Sequence, residues 1–363
     1  MEIRKTPSEE EIVSLLIRGE ICFPPFELEV EQTEASARRS QADAVLRFRW
    51  RNRQYRFVAE CNRLWTPKAL SQLVDQVRRY ARPPEYYPLV VTPYLPDARL
   101  AELEAEGVSG IDLCGNGVVV IPNELLVYRT GKPNRFRAEA EIKNVFRGSS
   151  SLVARVFLLV PKFGSVREAE REIESRGGGV VLATVSKVCK TLEGLLVIEN
   201  TRVKGTAARQ LKLLQPEKLL DLLAENYVAP QVTRTLRGKT RLAPDEFRAA
   251  LSRVGEEVRL VQTGFGSVGS YAVMAKEPMQ YFYCSNLDAT HDALGDAYEP
   301  TDRFANVSLG ECKDDTVYFD RRAGLVASPV QTYLELVTGD KRSQETAEQV
   351  RRTVLTPLAA QKG

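Results

Sequence analysis

Two hydrophobic periods alternate along this chain, and their alternation limits the possible fold more than any other feature. Between about residues 41 and 128, segments with every second residue apolar alternate with segments whose apolar residues recur every three to four positions. The first period is typical of strands and the second of amphipathic helices. The 363 residues are also long for one compact core. The sequence therefore predicts an α/β multidomain protein.

The first predicted domain covers residues 1–130. It begins with a hairpin of two strands, "ADAVLRFRW" and "QYRFVAEC", joined by a polar turn. The stretch "TPKALSQLVDQVRRYA" follows as a helix, because Leu70, Leu73, Val74 and Val77 share one face. An apolar strand, a helix that opens at Pro96 and a turn-rich strand pair complete the domain.

Two polar, basic stretches are predicted to be linkers, and they divide the rest of the chain. The stretch at 129–141 separates the first domain from a mostly helical segment, 141–229, and the stretch at 230–244 separates that segment from a C-terminal α/β domain, 245–363. The last domain ends in a charged helix. Gly264, Gly266 and Gly269 have the spacing of a dinucleotide-binding loop, but a tight strand-to-helix turn is the favoured use of these glycines.

The third helix of the central segment has a polar face that points to DNA binding. In "ATVSKVCKTLEG", an apolar stripe of Val185, Val188, Cys189 and Leu192 packs on the other two helices. The opposite side carries hydroxyls and ammonium groups, and no carboxylate precedes Glu193. A helix of this kind fits the major groove, where such groups reach bases and phosphates. The predicted contacts on the helix are Thr184, Ser186, Lys187, Lys190 and Thr191.

Two short strands with a basic connection follow this helix. They carry Arg202, Lys204 and Arg209, and residues 180–215 contain six basic and two acidic side chains. A basic hairpin behind a groove-reading helix is the wing of a winged helix-turn-helix, and wings contact backbone phosphates. The alternative is a three-helix structural module whose lysines are only solvated.

Several stretches resemble the AbiEi-like transcriptional regulators, the antitoxins of type IV toxin–antitoxin systems. "ATVSKVCKTLEGLLVIEN" and "LLQPEKLLDLLAENY" resemble the winged-helix region of that family. "LVVTPYLPDARLAELEAEGVSGIDLCGNGVVV" resembles the preceding segment, with its Asp-x-x-Gly-Asn element at Asp112, Gly115 and Asn116. "VQTGFGSVGSYAV" and "GLVASPVQTYLELV" resemble the C-terminal domain. The resemblance implies an autorepressor of its own operon and a C-terminal half that counteracts a cognate toxin protein.

The first domain also resembles a degenerate PD-(D/E)xK nuclease, a restriction-endonuclease-like fold. Asp43, Glu60 and Asn62, with Gln76 on the next helix, follow the order of that active site. In an active enzyme the carboxylates hold Mg²⁺ and a lysine stabilises developing charge. Here the lysine position is the neutral Asn62. A non-catalytic scaffold is therefore expected, and Mg²⁺ is expected as a cofactor only if the nuclease is active.

Composition excludes several other classes of protein. The single histidine, His291, rules out a histidine-based triad elsewhere and a multi-histidine metal site. No apolar run approaches the roughly 20 residues of a membrane span, and the N-terminal stretch carries acidic residues without a long apolar core. Six scattered cysteines are then expected to be reduced, mostly buried thiols in the cytoplasm.

The sequence as a whole predicts a cytoplasmic, sequence-specific regulator that binds double-stranded DNA and is not an enzyme. No membrane contact and no bound metal are expected, and self-association as a homodimer is possible for the C-terminal domain. The competing prediction is a metal-dependent DNA nuclease. The hairpin "RFRWRNRQYRF", with five arginines among four aromatics, is a further candidate surface for the DNA backbone.

Overall fold

A computed structural model describes residues 5–33, 42–136, 145–202, 209–254, 258–263, 265–273, 279–322 and 325–360. The chain is mixed α/β and divides into two compact units, residues 1–140 and 141–363. Twelve helices and three sheets lie in the described ranges. None of the helices described is long and apolar enough to cross a membrane.

The first unit is built on one seven-stranded sheet whose strands follow each other in chain order. Its centre, β3–β4–β5, is parallel, and the remaining pairs are antiparallel. The strands are β1 (Glu27–Thr33), β2 (Ala44–Trp50), β3 (Arg53–Cys61), β4 (Tyr87–Thr92), β5 (Ser109–Asp112), β6 (Gly117–Ile121) and β7 (Leu125–Arg129). Two helices form the crossovers of the parallel strands, as such connections require.

Three helices cover this sheet, namely α1 (Glu9–Ile17), α2 (Pro67–Tyr80) and α3 (Asp97–Ala105). Helix α1 belongs to an apolar cluster with Phe48 and Phe57, whereas α2 and α3 belong to a second cluster that includes Val58 and Val90. Since side chains alternate across a strand, the two clusters lie on opposite faces of the sheet. The predicted stripe of α2 is confirmed: all four of its apolar residues are buried.

The turn between β5 and β6 is fastened by the Asp-x-x-Gly-Asn element. The Asp112 carboxylate accepts hydrogen bonds from the backbone N–H groups of Leu95, Cys114 and Asn116 and from the Asn116 amide, at 2.7–2.9 Å. The Asn116 amide also bonds the backbone of Lys132 at 2.8 and 3.0 Å. This element therefore has a structural use, and part of the predicted linker is held against the first unit.

The second unit begins with three helices and a small sheet. The helices are α4 (Ser151–Phe157), α5 (Val166–Ser175) and α6 (Leu182–Gly194). The strands are β8 (Lys162–Phe163), β9 (Ile198–Arg202) and β10 (Arg209–Leu213). The sheet order is β8-β10-β9 and both pairings are antiparallel, so β10 is central. Helix α7 (Pro216–Asn226) follows.

A five-stranded sheet with order β12-β13-β15-β11-β14 forms the rest of the unit. Its strands are β11 (Val232–Lys239), β12 (Leu260–Gln262), β13 (Gln280–Cys284), β14 (Glu299–Pro300) and β15 (Val307–Cys312). Its helices are α8 (Pro244–Leu251), α9 (Phe265–Val268), α10 (Leu287–Leu294), α11 (Pro329–Val337) and α12 (Lys341–Ala359). The predicted linker 230–244 is wrong, because β11 pairs with β15 over most of its length.

The division of residues 141–363 into two domains is also corrected, because the two predicted segments share one core. Leu334 of α11 and Val350 of α12 belong to the same buried apolar cluster as Leu152 of α4 and Val185 of α6. Arg155 of α4, only 3% exposed, donates from Nη1 to the Gln331 side-chain oxygen at 2.6 Å. The sequence could not show this because the contacts are distant along the chain.

Candidate nucleic-acid interface

Helix α6 is held by its apolar stripe and leaves its other side accessible to solvent. Val185, Val188, Cys189 and Leu192 are buried, as the spacing predicted. Burial raises the pKa of the Cys189 thiol to about 12, so it stays protonated and packs as an apolar group. The helix is thus anchored in the core through this face.

The opposite face has lysines at its centre and hydroxyls at its edges. Ala183, Lys187 and Lys190 are exposed, whereas Thr184, Ser186 and Thr191 are partly buried. The Thr191 hydroxyl donates to the Lys187 backbone oxygen at 3.2 Å, so it is used within the helix. The predicted residues therefore lie on one side of α6, and the two lysines are the most exposed of them.

Within the described residues, no side chain caps the N-terminus of α6. Val181 occupies the capping position, makes no side-chain hydrogen bond and is 67% exposed. The first N–H groups of a helix carry partial positive charge and favour anions. This end adds to the positive character of the face that carries Lys187 and Lys190.

The strands behind α6 place two arginines opposite each other. Arg202 of β9 and Arg209 of β10 are register partners, and both are exposed. Lys212, further along β10, lies 3.9 Å from the Glu199 carboxylate. Lys204 lies outside the described residues. Of the three residues predicted to contact phosphates in this hairpin, Arg202 and Arg209 are therefore neighbours in the part that the structure describes.

The four nuclease-like residues of the first unit come together on the α2 side of the sheet. Glu60 is 2% exposed and accepts a hydrogen bond from the Gln76 amide at 2.7 Å. The Asp43 carboxylate accepts from the Cys61 N–H at 2.7 Å, and the Asn62 side-chain oxygen accepts from the Leu64 N–H at 2.8 Å. These bonds fasten the end of β3, and Asn62 supplies no positive charge there.

An open pocket of about 490 Å³ lies beside this cluster. Its walls are mainly the polar side of α2 and the end of β3: Asn62, Gln72, Leu73, Asp75, Gln76 and Arg79. Within the described ranges, no three His, Cys, Asp or Glu side chains are grouped so that they could hold a metal ion. The Mg²⁺-dependent alternative stays a prediction.

The arginine hairpin in the first unit is largely neutralised by neighbouring glutamates. Arg47 lies 3.4 Å from Glu29 and also contacts Glu31, and Arg49 lies 3.4 Å from Glu29. Arg53 contacts Glu124, and Arg56 lies 3.2 Å from Glu31. The acidic partners come mostly from β1, whose sequence carries a glutamate at every second position. This pairing argues against the hairpin as a DNA-backbone surface.

Sequence reasoning missed the residues that hold the turn before α6. Arg176 at the end of α5 donates from Nη1 to the Asp320 carboxylate at 2.6 Å. The three consecutive glycines at 177–179 are the only local sign of a tight approach in this turn. The partner lies 144 residues away, so no local pattern indicates it.

Comparisons with protein-family models, with curated proteins and with solved structures find no match for this chain. The resemblance to the antitoxin regulators stays a prediction from the quoted stretches. The functional argument therefore depends on the geometry of the chain itself.

Proposed function

We propose that this protein is a sequence-specific double-stranded DNA-binding regulator that uses a winged helix at residues 141–229. The chain order α4, β8, α5, α6, β9, β10, with β10 central in the small sheet, supports this proposal because such a module has the same connectivity. In this proposal α6 enters the major groove, and β9 and β10 hold the backbone beside it.

The exposed face of α6 is the single observation that carries the proposal. Its centre offers Lys187 and Lys190, and no carboxylate lies between residues 182 and 192. Helix α5, in contrast, carries four glutamates. Positive charge is therefore concentrated on the element that would enter the groove, and phosphate attraction requires such an arrangement.

The two kinds of contact have different expected roles. Lys190 and the hydroxyls of Thr184 and Ser186 would reach base edges, because they lie along the helix face. Arg202 and Arg209 would bind phosphates, which fix the position of the protein and carry no sequence information. Autorepression and a toxin partner are further parts of this proposal, and they rest on the resemblance to the antitoxin family.

The first experiment compares Lys190→Ala with Arg202→Ala by gel-shift titration. The probes are a duplex enriched from a random pool by the wild-type protein and a scrambled duplex of equal length. Lys190→Ala should weaken binding to the enriched duplex by about 1–3 kcal/mol and reduce discrimination between the probes. Arg202→Ala should weaken both alike and lower the slope of log affinity against log salt by about 1.

Lys162→Ala provides a matched control, since it removes an exposed cation on β8 of the same sheet. Unchanged affinity of both Lys190→Ala and Arg202→Ala for the enriched duplex would mean that this surface does not contact DNA.

A further inference from the structure

A segment from the C-terminal part of the second unit holds the turn in front of α6. Residues 313–322 leave the end of β15 and reach the end of α5. The Asp320 N–H donates to the Arg176 backbone oxygen at 3.0 Å, and the Asp320 carboxylate accepts from Arg176 Nη1 at 2.6 Å. Asp320 is 6% exposed, so the Asp320 end of this double contact is buried, whereas the Arg176 side chain is partly exposed.

Arg176 and Asp320 each make one further contact with a charged side chain. Arg176 also donates from Nε to the Glu172 carboxylate at 2.8 Å, one turn back on α5. Arg322 lies 3.0 Å from the other carboxylate oxygen of Asp320. Asp320 has φ +53°, in the left-handed region that non-glycine residues rarely occupy. The uncommon backbone conformation thus occurs at Asp320, the residue that binds the end of α5.

The same segment packs against one glycine of the turn, Gly178. A Cβ added at Gly178 would lie 2.6 Å from Ile173 Cγ2 and 3.0 Å from Phe319 Cδ2. At Gly179, the next residue, an added Cβ would meet nothing within 4 Å. Of these two glycines only Gly178 is thus required for close approach, where Ile173, Leu152 and Phe319 meet it.

From these contacts we infer that Asp320 and Phe319 are positioning residues for the DNA-contacting face of α6, an inference that rests on the proposed function. Helix α6 begins at Leu182, three residues after Gly179. Contacts to base edges require side chains held to about 0.5 Å, and a turn free to move would not provide this. The C-terminal part of the unit therefore sets where Lys187 and Lys190 lie.

The experiment uses Asp320→Asn and Gly178→Ala in the full-length protein. Asparagine keeps the size of the side chain and tolerates the left-handed backbone, but it removes the charge that binds Arg176. Gly179→Ala is the matched control for the turn. Arg351→Ala is the control for a lost ion pair, because Arg351 binds Asp221 at 3.0 Å between α12 and α7. Thermal midpoints are measured for all four variants.

Asp320→Asn and Gly178→Ala should each lose about tenfold in affinity for the enriched duplex and keep the wild-type affinity for the scrambled duplex. Gly179→Ala and Arg351→Ala should bind both duplexes as the wild type does. A purely structural role would lower the thermal midpoint and leave discrimination between the duplexes unchanged.

Two results overturn the inference while leaving DNA binding intact. One is wild-type discrimination in both Asp320→Asn and Gly178→Ala, measured well below their thermal midpoints. The other is that Arg351→Ala, if it lowers the thermal midpoint as much as Asp320→Asn does, also loses as much discrimination between the duplexes. A wild-type protein that enriches no duplex at all contradicts the proposed function itself and the inference with it.

Discussion

Glu311 on β15 accepts hydrogen bonds from three different groups. Arg234 donates from Nε at 3.1 Å, the Thr233 hydroxyl donates at 3.0 Å and the Leu287 N–H donates at 3.3 Å. All three favour the ionised carboxylate, with Arg234 contributing most, and they lower its pKa to about 2. The ordinary value in an unfolded chain is about 4.3.

This difference predicts how stability responds to acid. The carboxylate of Glu311 contributes fully above its unfolded pKa of about 4.3, and its contribution is lost as pH falls towards the folded value of about 2. Glu311→Gln should flatten that part of the stability curve, measured by urea unfolding at a series of pH values. Asp288→Asn is the control, because Asp288 binds the same Arg234 at the surface. If the stability of Glu311→Gln falls as steeply with decreasing pH as that of the wild type, other groups cause the loss of stability in acid.

Single residues differ in how far the sequence reveals them. The accessibility of Lys187 and Lys190 follows from helical spacing alone, since their positions oppose the apolar stripe. No local sequence pattern indicates the ion pair between Asp320 and Arg176. The hydrogen bond that the Asn62 side-chain oxygen accepts from the Leu64 N–H has no local signal either.

At the scale of elements, the helices whose apolar residues form one stripe were predicted from spacing. Helix α2 and helix α6 lie where amphipathic spacing put them, because one apolar face per helix is enough to specify the element. Strand β11 was mistaken for a linker because nearly all its side chains are exposed, so it lacks alternation. Its pairing with β15 depends on backbone hydrogen bonds, which the side-chain pattern does not record.

Strand β1 gives a prediction of its own, because its glutamates neutralise the arginines of β2 and β3. Replacing Glu27, Glu29 and Glu31 together by Gln should raise affinity for scrambled duplex roughly 3- to 10-fold at low salt, since the released arginines attract phosphates. Filter binding at two salt concentrations measures this.

The control carries the same change of net charge at three exposed glutamates elsewhere in the first unit, Glu9, Glu10 and Glu85. An equal rise in both triple variants would attribute the effect to net charge and contradict the local pairing argument.

At the scale of the whole molecule, the two units differ from the three predicted domains because α11 and α12 complete the core of the helical segment. A fragment of residues 141–229 should therefore show no cooperative urea unfolding. It loses the apolar partners of α4 and leaves the buried Arg155 without Gln331, losses comparable with the about 5–15 kcal/mol that stabilise a domain.

The matched fragment of residues 141–363 should unfold cooperatively, with the transition followed by near-ultraviolet circular dichroism. Cooperative unfolding of the shorter fragment would restore the independent central domain that the sequence suggested.

Photocrosslinking from α6 tests the central claim most directly. A photoreactive phenylalanine at Ala183 lies in the first turn of α6, on the side that carries Lys187 and Lys190, and one at Phe304, on the turn before β15, serves as the reference position. Irradiation with the enriched duplex should give a protein–DNA adduct from position 183, competed by unlabelled enriched duplex, and little adduct from position 304. A protein that binds the duplex but gives no adduct from position 183 would show that DNA lies elsewhere.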